Sequence, residues 1–301
     1  MASKTQLPST EQPDPRFHDL DAWPVAEVLQ AMWEGQLAAV AAVGPALPLI
    51  AAAAEACVER LGRGGRLVYA GAGTSGRIGV QDGAELPPTF NWPEDRLVLL
   101  MAGGDIAFTR AVENAEDDVA AGAAAISAHH VSQDDVVIGI AASGSTPFTL
   151  SCLNAANAMG ACTIAVANSA NGAILQVAAH PILVETSSEV IAGSTRMKAG
   201  TAQKVVLNLL SSLVMVRLGH VYQGRMVDML ARNEKLRRRA ERMVMEITGA
   251  ELEPVRAALV ESGGNVKSAV LVLKGLNGAE AIAALERHGG HLRATLAGLQ
   301  P

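Results

Sequence analysis

Arg66-Leu67-Val68-Tyr69-Ala70 runs directly into Gly71-Ala72-Gly73-Thr74-Ser75-Gly76, a short apolar run closed by a glycine-rich turn. An apolar run without polar alternation predicts a strand covered on both faces, as in a parallel sheet. Similar runs recur at 97–101, 136–141, 163–167 and 181–184, with helical patterns between them. Strands alternating with helices of ten or more residues are βαβ units. The expected fold class is therefore α/β, a three-layer αβα sandwich around a five-stranded parallel sheet.

Outward from that core, 25–43 and 47–61 carry helical spacing, and a polar arm, 1–24, precedes them. After Gly200 the strands are expected to stop, with helices over 202–218 and 226–247. A weak repeat follows: Gly263-Gly264-Asn265-Val266-Lys267 returns as Gly289-Gly290-His291-Leu292-Arg293, each pair of glycines separating two helical patterns. This predicts a small C-terminal helical bundle. The expected division is arm 1–24, sheet domain with flanking helices 25–240, and bundle 241–301.

The 301 residues, half of them apolar and with a net charge of −6, exclude a disordered or collagen-like chain. No basic block exists except 235–239, which argues against a nucleic-acid surface. Cys57, Cys152 and Cys162 lack CxxC spacing and sit among apolar or small residues, as buried thiols in a reducing cytoplasm would. The N-terminal segment lacks the apolar core of a secretory signal. Residues 37–54 are uncharged for about a bilayer span, but Gly44, Pro45 and Pro48 interrupt them, so two packed helices rather than a membrane segment are expected.

The turn at 71–76 fits the GxGxxG dinucleotide fingerprint, whose physics is anion binding by N–H groups at a helix N-terminus. A nicotinamide cofactor also calls for an acidic residue ending the second strand, where Gly103-Gly104 stand before Asp105. Hydroxyls at Thr74 and Ser75 suit a terminal phosphate better. A second strand, 136–141, opens into Ala142-Ser143-Gly144-Ser145-Thr146-Pro147, again hydroxyl-rich and again before a helix. Either loop alone is equally explained by helix capping. If their strands are neighbours at a switch point, the two loops converge on one ligand, a sugar phosphate.

These paired loops resemble the sugar isomerase (SIS) domain, a likeness that implies a flavodoxin-like sheet. Four further stretches are similar to the N-acetylmuramic acid 6-phosphate etherase family: 82–90, Ala102-Gly103-Gly104-Asp105, 111–117 and 193–204. The likeness runs from Thr10-Glu11 to the glycine repeat. It implies a cofactor-free, metal-free cytoplasmic homodimer with its site near the interface. Its substrate would be N-acetylmuramic acid 6-phosphate, cleaved to N-acetylglucosamine 6-phosphate and D-lactate in cell-wall recycling. It also implies Glu85 and Glu116 as the catalytic pair and a ubiquitin-associated-like C-terminal bundle. Phosphate and substrate binding is expected at Thr74, Ser75, Gly76, Ser143, Gly144, Ser145, Thr146, Ser194 and Lys198.

The chemistry suits two carboxyls. Once the sugar ring opens, the C1 aldehyde acidifies the C2 proton and the lactyl ether at C3 becomes a β-leaving group, so one carboxylate removes the proton while an acid protonates the leaving oxygen. Glu85 is assigned as the acid and Glu116 as the base, with the roles exchangeable. Arg77, Arg196 and Lys198 are candidate cations for the phosphate. Glu116 has a plainer reading too, as part of a solvated acidic helix face. His129-His130 lacks a third ligand nearby and is expected at a helix end.

The chain departs from the family pattern at Ser145, usually Arg, at Thr186-Ser187-Ser188-Glu189, usually a Gly-Pro-Glu turn, and at Asp14, usually Asn. The rivals are a sugar-phosphate isomerase on the same fold and a phosphosugar-sensing regulator resembling the glucokinase regulatory protein.

Overall fold

The computed structural model describes residues 7–229 and 234–299. The chain divides into two compact units. One comprises the described residues up to Gly83 together with Asp95–Ser211, and the other comprises Ala84–Glu94 and the described residues from Ser212 onward.

In chain order the elements are α1 (Val25–Ala41), α2 (Leu47–Leu61), β1 (Leu67–Gly71), α3 (Gly73–Ala84), α4 (Leu86–Phe90), β2 (Leu97–Met101), α5 (Val119–Ala128), β3 (Val136–Ala141), α6 (Pro147–Ala158), β4 (Cys162–Ala167), α7 (Ala173–Val177), β5 (His180–Leu183), α8 (Lys198–Arg217), β6 (Val221–Tyr222), β7 (Arg225–Met226), α9 (Glu234–Thr248), α10 (Leu252–Glu261), α11 (Val266–Val272), α12 (Gly278–Arg287) and α13 (Leu292–Gly298). The five apolar runs are the five strands, each within a residue of its expected bounds.

In the first unit the strands form one parallel sheet in the order β2-β1-β3-β4-β5. Its faces divide by the strand period of two. Val68, Ala70, Val98, Leu100, Val137 and Ala165 meet Ile126, Phe148, Cys152 and Leu153 of α5 and α6. On the other face a Cβ at Gly79 or Gly83 would touch Tyr69, Ile140 or Leu99, which shows how closely α3 approaches the sheet. Asp82, buried at the far end of α3, accepts hydrogen bonds from Tyr69 Oη at 2.8 Å, Asn208 Nδ2 at 2.6 Å and Ser211 Oγ at 3.3 Å. That network ties α3 to β1 and α8. The three cysteines are buried and free, and burial pushes the Cys152 thiol up to about 12.

The stretches 25–61 and 198–217 are apolar and long enough to cross a membrane by composition. The first is broken by a 3-10 turn at Gly44–Ala46, and Ile50, Ala53, Ala54, Cys57 and Leu61 of α2 are buried. His129 ends α5 as its C-cap.

The second unit holds α4, α9–α13 and the short antiparallel pair β6–β7. This hairpin corrects the expectation that strands end at Gly200. Its two-residue turn puts Gln223 at φ 47° and Gly224 at φ 72°, a shape usually signalled by Asn-Gly, and Gln masks it. Part of the expected 226–247 helix, residues 230–233, lies outside the described residues; the helix begins at Glu234. The glycine repeat is a repeat of backbone shape. Gly263 and Gly264 have φ 59° and 83°, and Gly289 and Gly290 have φ 60° and 79°. Val255, Ala258, Val266, Val270, Ala281 and Leu285 are among its buried residues.

Candidate functional site

β1 and β3 pair side by side, Gly71 opposite Ile140, although another strand and three helices separate them in sequence. Their C-terminal loops therefore emerge together at the switch point of the sheet. Both lead into twelve-residue helices, α3 and α6. A cavity of about 400 Å³ lies there, lined by Thr74, Ser75, Ser143, Ser145 and Thr146 from the two loops. Helix N-termini carry unsatisfied N–H groups and a positive dipole end, so two of them on one cavity make an anion site.

The capping alternative is only partly realised. Thr146 is the N-cap of α6, yet its side chain makes no capping bond. Ser143 Oγ accepts a 3.2 Å bond from the Ser145 N–H, which shapes the loop. Gly144 adopts φ 71°, and a Cβ there would lie 2.6 Å from the Gly172 Cα, so that position serves the close approach of two loops.

Glu116 and Asp117 form another wall of the same cavity. They occupy a 3-10 turn, Ala115–Asp117, rather than the helix face expected from sequence. Asn114 at φ 59° turns the chain into it, and Asp118 leaves it by capping α5 through the Ala121 N–H at 2.8 Å. The acidic run is thus divided: Asp118 holds the helix, and its two neighbours face the cavity.

Gly76, Gly144, Ser194 and Lys198 do not line the cavity. Gly76 packs beneath the loop against Gly71 and Met101. Thr195, not Ser194, reaches the wall. Lys198 Nζ donates to the Ser188 carbonyl at 2.7 Å, while both oxygens of buried Glu189 accept from the Lys198 and Ala199 N–H groups at 2.9 Å, capping α8. Burial lowers the Lys198 ammonium and raises the Glu189 carboxyl; the charge of each partly opposes the shift of the other. Ser187, in the turn usually built with Gly-Pro, sits at φ 56°, a conformation costing a non-glycine residue about 1–2 kcal/mol. Arg196 is exposed. Glu85 belongs to the second unit, exposed at the N-cap of α4.

Sequence reasoning missed the N-terminal arm as a wall. Pro8 and Glu11 line the cavity, and the Glu11 carboxylate rests on Gly193, whose Cβ position is 3.0 Å from Oε2. Thr10 between them is fully buried. The Thr10-Glu11 pair was visible only as one end of the family likeness. Two further cavities adjoin: one of about 230 Å³ shares Ala72, Gly73 and Glu116, and one of about 530 Å³ shares Pro8, Ser143 and Ser145. No cluster of His, Cys, Asp and Glu suited to a metal ion occurs among the described residues.

The profile of the glucokinase regulatory protein N-terminal SIS domain matches residues 49–157. The chain is 50% identical over 288 residues to an N-acetylmuramic acid 6-phosphate etherase of Deinococcus radiodurans, covering 95% of this chain and 94% of that one. It is 45% identical over 290 residues to a protein of the same name from Streptomyces avermitilis, covering 96% and 93%. Among solved structures, a phosphoheptose isomerase from Francisella tularensis is similar at 23% identity and TM-score 0.48, over 65% of this chain and 98% of that one.

Proposed function

The chain belongs to the N-acetylmuramic acid 6-phosphate etherase family, and from that premise we propose that it converts N-acetylmuramic acid 6-phosphate and water into N-acetylglucosamine 6-phosphate and D-lactate. The observation that carries the reading is the meeting of two hydroxyl-lined helix N-termini with the Glu116 carboxylate in one cavity.

The N–H groups of the Thr74–Ser75 and Ser143–Thr146 segments and their hydroxyls bind the phosphate, a group of roughly two negative charges. With the ring open, Glu116 takes the C2 proton and the C3–O bond breaks. The electron pair of the C2–H bond forms the C2=C3 double bond, and the lactyl oxygen leaves with a proton from a carboxylic acid. Water then adds its hydroxyl to C3 and a proton to C2, restoring the saturated sugar. The acid is assigned to Glu85 from the family likeness of the 82–90 motif. The site works in cell-wall amino sugar recycling in the cytoplasm.

Incubation with N-acetylmuramic acid 6-phosphate in D₂O tests the reading. D-lactate release with deuterium at C2 is expected. C2 exchange without lactate would mark an isomerase, and binding with neither would mark a sensor.

Ser143→Ala is expected to raise KM about tenfold or more while kcat changes less, because a hydrogen bond to a charged group contributes about 1.5–3 kcal/mol in ground and transition state alike. Steady-state kinetics check this, and an unchanged KM removes Ser143 from the phosphate site.

The working form is proposed to be a homodimer built on α1. Val25, Leu29, Trp33, Leu37 and Val40 are exposed at helical spacing along that helix. Gly35, on the inward face of α1 with buried Ala31 and Ala39, packs against Val190 and the Lys198 stem, so α1 lies over the segment that carries Lys198 while the stripe faces outward. Lys198 does not line the cavity of its own chain, and its proposed role toward the phosphate is exercised on a second copy. Sedimentation of the Leu29→Glu, Trp33→Glu double variant is expected to give half the wild-type mass; an unaltered mass rejects the stripe as the interface.

A further inference from the structure

We infer that Arg110 binds the carboxylate of the substrate's lactyl group and so distinguishes the etherase substrate from sugar phosphates that lack one. The inference rests on the reaction proposed above and names the part of the site that reads its leaving group.

The smaller neighbouring cavity, about 230 Å³, carries two arginines in its wall, Arg77 and Arg110. Arg77 is tied to the backbone. Its Nε donates to the carbonyls of Ala107 at 3.1 Å and Phe108 at 3.3 Å, and its Nη2 donates to the carbonyl of Arg110 at 3.0 Å. These bonds through Nε and Nη2 hold the 107–110 segment. Arg77, expected as a candidate phosphate cation, lines this smaller cavity and not the hydroxyl-lined one. The Arg110 side chain is exposed and has no hydrogen bond or ion pair among the described residues. Its backbone is thus fastened by Arg77 while its own charge is unspent.

The position of Glu116 orders the ligand. Glu116 lines both cavities. If its carboxylate faces C2, and the phosphate on C6 occupies the hydroxyl-lined cavity, the substituent on C3 continues past Glu116 into the smaller one. That substituent ends in a carboxylate. A guanidinium meets a carboxylate through two parallel N–H···O bonds, a geometry lysine does not offer. The opposite orientation is disfavoured, because the smaller cavity also holds Glu113 and Glu116, whose charges would repel a phosphate dianion more than a single carboxylate. Ser145, uncharged where the family pattern usually has Arg, leaves this role to a side chain elsewhere.

The test compares wild type, Arg110→Gln and Arg110→Lys as full-length chains, reading KM for N-acetylmuramic acid 6-phosphate and Ki for the product N-acetylglucosamine 6-phosphate. Arg110→Gln is expected to raise KM by about 10–100-fold, the range for losing a charged hydrogen-bonded pair. Ki should stay within about twofold of wild type, since that sugar lacks the carboxylate; the retained inhibition also reports a folded site. Arg110→Lys should recover part of the loss. KM and Ki rising together would assign Arg110 to the phosphate or to the loop, and neither moving would leave it without a ligand; each overturns the inference. Wild-type enzyme that releases no lactate overturns the reaction itself, an outcome read separately from the variants.

Discussion

Glu116→Gln is expected to lower kcat for lactate release by about 10²–10⁴-fold, the usual contribution of a positioned general base, while KM changes no more than about threefold. The amide keeps the size and hydrogen-bonding reach of the carboxylate but cannot accept the C2 proton. Deuterium exchange at C2 should disappear with turnover, because both need that proton removed. The expectation rests on the 3-10 turn at Ala115–Asp117, which presents Glu116 to both ligand cavities. On a merely solvated acidic face, loss of one charge would alter neither exchange nor turnover. Wild-type lactate release from this variant ends the assignment. Exchange retained with lactate release lost would place the base elsewhere and give Glu116 the acid's role.

Gly76→Ala should destabilise the first unit by about 1–3 kcal/mol, the cost of forcing a group into a packed site, and weaken substrate binding with it. A Cβ at Gly76 would lie 2.4 Å from Met101 Sδ, 2.7 Å from Gly71 O and 2.8 Å from Gly71 C. Met101 can swing aside, since thioether side chains are flexible. The Gly71 carbonyl belongs to β1, paired on both sides by β2 and β3, and cannot. The first turn of α3 must therefore back away from the strand, carrying Thr74 and Ser75 out of register with the Ser143 loop. A thermal melt lowered by several degrees together with a raised KM is the expected pair of results. An unchanged melting temperature would show that α3 is free to shift and that the tight fit is unimportant.

These positions differ in how plainly the chain announces them. Gly76 stands out because the spacing Gly71, Gly73, Gly76 has one physical use, a strand turning tightly into a helix. Glu116 did not stand out from Glu113, Asp117 and Asp118 on local grounds; a left-handed Asn114 and a cap at Asp118 separate their tasks, and neither follows from charge alone. Arg110 carried no sequence signal, whereas Arg77 did. An arginine beside a glycine loop suggests a phosphate ligand, but Arg77 donates to carbonyls about thirty residues onward and so positions the backbone of Arg110. The Gln223-Gly224 hairpin was hidden by an uncommon turn residue, and the arm at Pro8–Glu11 by its polar, proline-bearing composition.

Strands, helices, the hydroxyl-bearing turns and the doubled glycine turn of the tail were readable along the chain. Each is set by neighbours within a few residues: apolar continuity, glycine at tight turns, hydroxyls before helices. The adjacency of β1 and β3, the sharing of Glu116 between two cavities, the tie of Arg77 to the 107–110 backbone and the closing of one wall by Glu11 depend on residues brought together from distant parts of the chain. Local preferences carry no information about such partners, because they meet only when the parallel sheet assembles and its crossovers set the strand order.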